Sequence, residues 1–442
     1  MSSSHVQLHT FGCKVNTYDT GLLQKRLQAQ GFVTNSKEAS VHILNSCAVT
    51  AEATREAIRQ ARKIKAKNPL ATVVMTGCSA QVDGDLIDDL PGIDLVVANS
   101  HKGELESILR KYFLGEIEQK VFRSNIFRNE SLGEGGGEEQ SHTRSFLKIQ
   151  DGCNSFCTFC IIPYARGTSR SLPIDSLLKK IRSLDEQGVR EVVLTGVHIG
   201  DYCDEESFGG PYYLDDLVEQ VLQNTKIPRV RLTSLEPIEL TDKLMDLFKN
   251  PRLCPHFHIS LQSGSTDILQ AMKRKYSAVD VERALQWIDE TLPKAYVGMD
   301  VIVGFPGETE ELFLETYNNL KRWPWTRIHV FPYSERKGTR AALSKDVVPV
   351  RERKRRSKIL RDLSFERHQF LASQQVGELK KVILLKNNNG GARGLSRDYW
   401  DIFLENTELL NPGDEVEVKI LGYERGSQDR LQGYLRGELN GR

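Results

Sequence analysis

The stretch Asp151-Gly-Cys-Asn-Ser-Phe-Cys-Thr-Phe-Cys160 places three cysteines at a C-x3-C-x2-C spacing. Three thiolates held this close together can ligate three irons of a 4Fe–4S cluster and leave the fourth iron open to another ligand. A structural zinc ion needs four closed ligands, so the competing interpretation has to borrow Cys203 or Cys254 as the fourth. Because zinc sites usually come as paired C-x2-C motifs, the spacing favours an iron–sulfur cluster on Cys153, Cys157 and Cys160.

The length and composition describe a folded chain with balanced charge. Its 442 residues suffice for about two to four domains. Because 60 Lys and Arg residues nearly cancel 59 Asp and Glu residues, any surface that binds nucleic acid must be local. The first residues lack a signal-peptide pattern, and the longest aliphatic patches are too short to span a bilayer. We therefore expect a cytoplasmic protein without a membrane partner, whose eight cysteines serve metal or redox chemistry rather than disulfides.

Three further cysteines lie in the N-terminal part of the chain, which we predict to be a domain over residues 1–123. Strand-like segments alternate with helical ones at 6–11, 41–44, 72–77 and 93–98. This alternation predicts a parallel sheet covered by helices. Cys13, Cys47 and Cys78 each follow a strand closely, and the carboxyl ends of parallel strands meet at one edge of a sheet. We therefore expect these three thiols to converge into a second metal site, with three unrelated thiols as the alternative.

The middle of the chain, residues 144–374, carries six strand-like segments that alternate with helices. This pattern predicts a partial (β/α)6 barrel that is open on one side, with functional residues at the carboxyl ends of its strands. The candidate cofactor-binding residues are the aromatic residue before the last cluster cysteine and residues that follow later strands: Phe159, Gly196, Glu236, Gln262, Arg274 and Gly304. Residues after strands are also common turn and cap formers, which is the alternative role. We interpret His198, His256 and His258 as packing or hydrogen-bonding residues rather than ligands.

Two segments surround this predicted barrel. Residues 124–143 are rich in Gly and Glu, which predicts a flexible linker. Residues 375–442 show short strand-like segments with Gly and Asn turns, which predict a small five-stranded antiparallel β-barrel.

A basic run is predicted to lie on a long helix from about residue 351 to 374. From residue 337 to 373, eleven Lys and Arg residues stand against four Asp and Glu residues, a net charge of +7. Such a run can neutralise several phosphates, although a solvated helix face explains the charge equally well. Exposed aromatic and Arg side chains of the small barrel can stack on or clamp RNA, although a barrel that merely caps the fold is the alternative. The candidate RNA-binding residues are Arg351, Arg353, Lys354, Arg355, Arg356, Arg397 and Tyr399.

These cysteine motifs resemble those of a known family. The C-x3-C-x2-C spacing with an aromatic residue before the last cysteine is similar to the signature of radical S-adenosylmethionine (SAM) enzymes. The motifs Phe11-Gly-Cys-Lys-Val-Asn16, Asn45-Ser-Cys-Ala-Val-Thr50 and Thr76-Gly-Cys-Ser79 resemble the three N-terminal cysteine motifs of the methylthiotransferase family. The resemblance continues through the predicted barrel, and residues 375–442 resemble the TRAM domain, a small β-barrel associated with tRNA binding.

The resemblance implies two 4Fe–4S clusters and SAM as cofactors. It implies that SAM binds the open iron of the Cys153/Cys157/Cys160 cluster and that the Cys13/Cys47/Cys78 cluster carries the sulfur that is inserted. In this family a 5′-deoxyadenosyl radical removes a hydrogen from the substrate, because no side-chain acid or base can break the unactivated C2–H bond of adenine. No catalytic residue is therefore expected beyond the ligands of the clusters and of SAM.

The residues after Cys13 are similar to those of the MtaB-type branch, which implies N6-threonylcarbamoyladenosine at tRNA position 37 as the substrate. Isopentenyladenosine in tRNA, a ribosomal-protein aspartate, or a non-catalytic zinc or RNA-binding module are the alternatives. The implied partners are a tRNA anticodon loop, whose splayed base can enter a pocket, and an electron donor such as flavodoxin or ferredoxin. Eukaryotic relatives of this branch add a C-terminal membrane segment that this sequence does not show, so we expect the bacterial form.

Overall fold

The computed structural model describes residues 5–35, 38–128, 143–388, 391–405, 410–425 and 433–440. Its elements form a parallel-sheet group, an open barrel and a small closed β-barrel. Residues 129–142, most of the predicted linker, lie outside the described residues, and the predicted domain boundaries stay predictions. No helix in the described part of the chain is both long and apolar enough to cross a membrane.

The first group is a six-stranded parallel sheet with helices on its faces. Its strands are β1 (His5–Thr10), β2 (Val33–Thr34), β3 (Val41–Ser46), β4 (Thr72–Gly77), β5 (Leu95–Ala98) and β6 (Val121–Phe122). Its helices are α1 (Lys14–Ala29), α2 (Ala51–Lys67), α3 (Cys78–Val82), α4 (Gly84–Ile87) and α5 (Leu105–Phe113). The strand order is β2-β1-β3-β4-β5-β6, and the central strands are almost wholly buried because helices cover both faces. The predicted parallel sheet is confirmed, with β2 and β6 as short additions at its edges.

The second group is the predicted open barrel. Its six main strands are β7 (Arg144–Lys148), β10 (Glu191–Thr195), β13 (Arg229–Leu232), β14 (His256–Gln262), β15 (Tyr296–Val303) and β16 (Arg327–Pro332). Its short strand pairs are β8 (Gln150–Asp151) with β9 (Arg170–Ser171) and β11 (Cys203–Asp204) with β12 (Tyr212–Tyr213). Parallel pairing runs β7-β10-β13 and β14-β15-β16, and isolated bridges join the two halves. Within the described chain β7 and β16 are therefore the two edges of the opening.

Helices surround this barrel and define which strand residues face its inside. They are α6 (Ile162–Arg166), α7 (Ile174–Glu186), α8 (Leu214–Asn224), α9 (Asp242–Leu247), α10 (Thr266–Ala271), α11 (Ala278–Thr291), α12 (Glu310–Arg322) and α13 (Val350–Ser373). Phe257 and Ile259 of β14 belong to the core that the strands share with these helices. Because side chains alternate along a strand, His256, His258 and Ser260 point the other way, into the interior of the barrel, which we call the lumen.

The third group is a closed five-stranded barrel at the C-terminal end of the described chain. Its strands are β17 (Leu379–Asn388), β18 (Gly391–Ser396), β19 (Asp401–Leu404), β20 (Glu415–Glu424) and β21 (Tyr434–Leu439). They close in the order β17-β18-β19-β21-β20, with all pairs antiparallel except β19 with β21. Closure satisfies every strand edge, which allows so small a unit to hold its own core.

Candidate functional site

The first cysteine triad lies in the loop between β8 and α6. Gly152 precedes it with φ +80°, and a side-chain carbon there would come within 1.9 Å of the Thr168 carbonyl oxygen. The Cys153 amide donates to the Gly167 oxygen at 3.1 Å, and the Cys160 amide donates to the Cys157 oxygen at 3.0 Å. These bonds hold the loop in one turn that brings the three thiols together.

Two cationic groups lie beside the first triad, where burial raises the pKa of Cys157 and of Cys160. The Arg274 guanidinium donates to the Cys157 sulfur at 3.3 Å, and His198 Nδ1 lies 3.9 Å from the Cys153 sulfur. Burial lowers the pKa of His198, but hydrogen bonds to Asp201, Cys153 and Glu239 outweigh the effect of burial and raise that pKa to about 12. Within the described residues no fourth cysteine joins these three thiols, and a protonated His198 and an arginine beside them fit an iron–sulfur cluster with one open iron.

A buried polar group lies next to this triad, at the carboxyl ends of the barrel strands. Glu236 accepts from Arg274 at 2.7 Å, and Glu239 lies 2.5 Å from His198 Nε2. Burial raises the pKa of Glu236 in spite of the Arg274 charge beside it. Gln262 has φ +69°, where β14 ends in an irregular register. Glu236 and Arg274, two of the residues predicted to bind SAM, thus lie beside the first triad.

Three other predicted cofactor residues have identifiable neighbours. Phe159 packs edge-to-face on Phe305 with ring centroids 6.4 Å apart. A side-chain carbon at Gly196 would lie 2.9 Å from Gln150 Oε1, and one at Gly304 would lie 2.3 Å from Cγ of an arginine on α13. The requirement for glycine at both positions therefore comes from protein neighbours, while their role in binding SAM stays a prediction.

We interpreted His198 as a packing or hydrogen-bonding residue, and it makes polar contacts with Cys153 and Glu239 and lies 3.6 Å from Glu236. Its place beside the first triad was not predicted. The signal was its position just after β10, at the same end of the barrel as the cysteine loop. Glu239 was not predicted as a site residue either, although it too follows a barrel strand, on the turn after β13.

The second triad is assembled by the register of the parallel sheet. Thr10 pairs with Asn45, and Ser46 pairs with Gly77, so β1, β3 and β4 end at nearly one level. The cysteines that follow these strands consequently leave the sheet side by side. The predicted convergence of Cys13, Cys47 and Cys78 at one sheet edge therefore agrees with the strand register.

Close packing brings the second set of thiols together. Gly12 has φ +90°, and a side-chain carbon there would lie 2.5 Å from the Cys47 sulfur. Burial raises the pKa of Cys47 to about 12, and charges on the neighbouring Cys78 and Cys13 thiols contribute to that rise. Mutual repulsion of this kind is relieved when thiolates bind iron, so the donor set fits a second cluster with three protein ligands.

A buried network of charges joins the two triads. Arg166, at the end of the helix that follows the first triad, donates to Asp151 at 2.9 Å, to Asn16 at 2.6 Å and to Asp19 at 3.1 Å. Lys148 also bridges the two carboxylates, at 2.6 Å from Asp19 and 3.0 Å from Asp151. The network therefore ties α1 of the first domain to the loop that carries the first triad.

Apolar contacts bring the two triads into the same region. Ile161 and Ala165, which follow the first triad directly, form one buried cluster with Ala48 and Cys78 of the second. Arg166 also exerts a charge on the Cys47 thiol that lowers its pKa, against the larger effect of burial. The short segment from Cys160 to Arg166 thus contacts both sites.

The two remaining cysteines lie elsewhere. Cys254 is buried near Arg231 and Glu191, at the amino ends of the barrel strands. Cys203 lies on β11, where its neighbours are acidic. Neither residue joins the Cys153/Cys157/Cys160 group, so the described structure gives no support to the zinc interpretation that borrows one of them.

The helix α13 divides the predicted RNA-binding run into two faces. The expectation of exposure is wrong for Arg353, which donates to the Val348 and Tyr333 oxygens, and for Arg356, which donates to the Glu308 oxygen at 2.8 Å. Both are buried because they lie at helical spacing on the face that also carries buried Leu360 and Ser364, a periodic signal that the charge run obscured.

The other three predicted RNA-binding residues of α13 lie on its outer face. Arg351 and Lys354 are exposed, and Arg355 is exposed but pairs with Glu310 and Glu352. These three residues remain candidates for phosphate contacts.

The predicted RNA-binding residues of the small barrel point inward instead. The expectation that Arg397 and Tyr399 are free for RNA is wrong, because both pack against the amino ends of the open-barrel strands. Arg397 donates to the Pro251 oxygen at 2.8 Å, and the Tyr399 ring stacks on His256 with centroids 3.8 Å apart. Trp400, which follows Tyr399, is buried. These residues close the end of the lumen that lies opposite the first triad.

Comparison with known proteins agrees with this arrangement. Residues 147–320 match the family model described as Radical SAM superfamily, and residues 5–98 match Uncharacterized protein family UPF0004. The chain is 38% identical to the threonylcarbamoyladenosine tRNA methylthiotransferase MtaB of Aquifex aeolicus, over 90% of this chain and 96% of that protein. It is 34% identical to the MtaB of Bacillus subtilis, over 94% and 93%.

More distant relatives and solved structures extend the likeness. The tRNA-2-methylthio-N(6)-dimethylallyladenosine synthase of Thermodesulfovibrio yellowstonii is 33% identical over 77% of this chain and 79% of that protein. The radical SAM methyltransferase TsrM of Kitasatospora setae superposes with a TM-score of 0.57 at 15% identity, covering 78% of this chain and 77% of that one. The last likeness concerns the fold alone.

Proposed function

Because the chain belongs to the MtaB family of radical SAM tRNA methylthiotransferases, we propose that it adds a methylthio group to C2 of N6-threonylcarbamoyladenosine at position 37 of tRNA. It is an enzyme of the radical SAM type, with 4Fe–4S clusters and SAM as its cofactors. The observation that carries the proposal is the pair of three-cysteine sites that share the segment from Cys160 to Arg166.

The division of the site supports one chemical role for each triad. When bound, the clusters and SAM supply the radical that breaks an unactivated C–H bond and the sulfur that replaces the hydrogen. Cys153, Cys157 and Cys160 would hold one cluster, and Glu236 and Arg274 beside them would bind SAM. Cys13, Cys47 and Cys78 would hold the other cluster, and Cys78 packs in one buried group with Ile161, the residue that follows the first triad.

The polar lumen supports the threonylcarbamoyl substrate over an isopentenyl one. His258 lies 3.1 Å from Ser234 Oγ and 3.1 Å from Asp300 Oδ1, which makes a row of polar groups across the inner face of three neighbouring strands. A threonylcarbamoyl group offers a hydroxyl, an amide and a carboxylate to such a row. An isopentenyl group offers no polar atom to this row.

The tRNA would approach the mouth of the barrel with its anticodon loop. Exposed Arg351, Lys354 and Arg355 on α13 are proposed to contact phosphates there, whereas Arg353 and Arg356 of the same run are buried. We also propose that a small redox protein such as flavodoxin or ferredoxin supplies single electrons and that the enzyme works in the cytoplasm.

Nucleoside analysis tests the substrate directly. The anaerobically reconstituted enzyme is incubated with SAM, dithionite and tRNA that carries either N6-threonylcarbamoyladenosine or isopentenyladenosine, and with a ribosomal protein in a third reaction. Mass spectrometry should find the methylthio product in the threonylcarbamoyladenosine tRNA alone. Product in isopentenyladenosine tRNA or on the protein, with none in the first reaction, would reject the proposal.

A further inference from the structure

One charged residue of the first domain reaches into the barrel. Lys14 directly follows Cys13 and begins α1, which packs against edge strand β7. Its Nζ lies 5.9 Å from the centroid of the Phe146 ring on the inner face of that strand. The charge of Lys14 also reaches His256 in the lumen, whose pKa is lowered chiefly by burial and then by Arg231 and Lys14. The side chain thus enters the lumen through the opening between the edge strands.

Lys14 has no anionic partner in the described part of the chain. It forms no ion pair or hydrogen bond there, whereas the neighbouring Lys148 is engaged by both Asp19 and Asp151. Within the described residues, its ammonium group makes a cation–π contact with the face of the Phe146 ring. An unpaired ammonium group against an aromatic ring inside a cleft is poised for an anion that comes with a ligand.

The edge strand on the other side of the opening contributes a second cation. Arg327 begins β16 on the inward-facing register, two residues before His329, whose ring lies 6.0 Å from that of His258. No described carboxylate pairs with Arg327 either, and it borders a cavity of about 200 Å³ that runs along β16. The opening is therefore flanked by positive charge on both sides, with Asp300 as the nearby acidic group bound to His258.

If the substrate is N6-threonylcarbamoyladenosine, as proposed above, its only charged group apart from phosphates is the threonine carboxylate. We propose that Lys14 binds this carboxylate in the lumen and thereby selects threonylcarbamoyladenosine over adenosines with an uncharged N6 substituent. Lys14, which directly follows Cys13, would then also set the position of the adenine. Because Lys14 adjoins Cys13, the carboxylate contact holds the reacting C2 atom near the site that provides sulfur.

The test compares charged and neutral substrates on matched variants. Anticodon stem-loops carry N6-threonylcarbamoyladenosine, its threonine methyl ester, or isopentenyladenosine. The enzymes are the wild type, Lys14→Gln, Lys14→Arg and Lys63→Gln, in which Lys63 is an exposed residue of α2 away from the lumen. Iron and sulfide content and the cluster absorption spectrum are recorded for each enzyme, so that loss of the second cluster is seen independently of turnover.

The wild type should prefer the free carboxylate over its methyl ester by about 10- to 100-fold in kcat/KM, the usual effect of one charged hydrogen bond. Lys14→Gln should lose that preference, with the loss confined to the carboxylate substrate, while Lys14→Arg keeps most of it and Lys63→Gln keeps all of it. Iron content should be unchanged in all four enzymes.

Two results would overturn the assignment. One is a wild type that treats carboxylate and ester alike, a measurement that does not depend on any variant folding. The other is a Lys14→Gln enzyme that loses activity equally on both substrates or loses iron, which would make Lys14 a support of the second cluster. A wild type inactive on threonylcarbamoyladenosine but active on isopentenyladenosine would instead reject the proposed function.

Discussion

The two cysteine triads reach similar arrangements by different routes. The first comes from eight consecutive residues in one loop, and its geometry depends on backbone bonds within and next to that loop. The second draws one cysteine from each of three strand ends, and its geometry depends on sheet register and on contacts with the barrel. A site built from one loop can form locally, whereas a site built from three strands needs the whole sheet and its neighbour in place.

This difference predicts that the two sites can be lost separately. Cys157→Ala should abolish formation of 5′-deoxyadenosine and therefore methylthiolation as well, because it removes a ligand of the cluster that binds SAM. Cys47→Ala should abolish methylthiolation and leave cleavage of SAM, because its triad belongs to the other site. Both products are measured by liquid chromatography with mass spectrometry on reconstituted enzymes.

Cys203→Ala serves as the matched control, since this thiol lies apart from both triads. It should leave both products at the wild-type level. Equal loss of both products in Cys47→Ala, with the first cluster intact by its spectrum, would contradict the separation of roles.

The charge network around Arg166 should matter more for the second triad, which three strands build, than for the first, which one loop builds. Arg166→Gln leaves Asp19 and Asp151 with one cationic partner fewer in a buried place, which we expect to cost about 3–5 kcal/mol of unfolding free energy. Because Arg166 contacts Asn16 and Asp19 of α1, the second cluster should be lost first. Chemical denaturation and iron content per chain measure the two effects.

The exposed Arg59, which pairs with Glu52 on the surface of α2, is the control for removing an arginine. Arg59→Gln should change neither stability nor iron content measurably. An Arg166→Gln enzyme with full iron content and wild-type stability would show that the network does not link the sites.

A smaller effect is expected from single glycines. Gly12→Ala forces a side-chain carbon onto Cys47 and should weaken iron binding at the second site only, whereas Gly152→Ala collides with the Thr168 oxygen and should disturb the first. Gly31→Ala is the control, because Gly31 has φ +85° and open space around it. It should show only the cost of the left-handed backbone, about 1–2 kcal/mol.

Iron content and cluster spectra distinguish these outcomes. A Gly12→Ala enzyme that behaves like Gly31→Ala would mean that the second triad tolerates displacement of its loop, and the contrast between the two sites would be smaller than the structure indicates.

Features carried by neighbouring residues were predictable from the sequence, and features that depend on distant partners were not. The C-x3-C-x2-C loop and the alternation of strands and helices were readable because neighbouring residues carry the pattern. The failures came from side chains whose role depends on distant partners. Arg353 and Tyr399 looked free in the sequence, and each is occupied by a segment that the local pattern does not reveal.

The sequence by itself placed the six thiols, because a spacing within one loop and positions just after strands follow from backbone geometry, and the resemblance of these motifs to a known family implied the class of chemistry. Only the tertiary structure decided which charged side chains have a protein partner and which are free to bind a ligand. Arg166 joins two domains, Arg397 closes one end of the barrel, and Lys14 remains without an anion in the described chain. The physical reason is that a charge finds its partner through space, and no spacing along the chain records that distance.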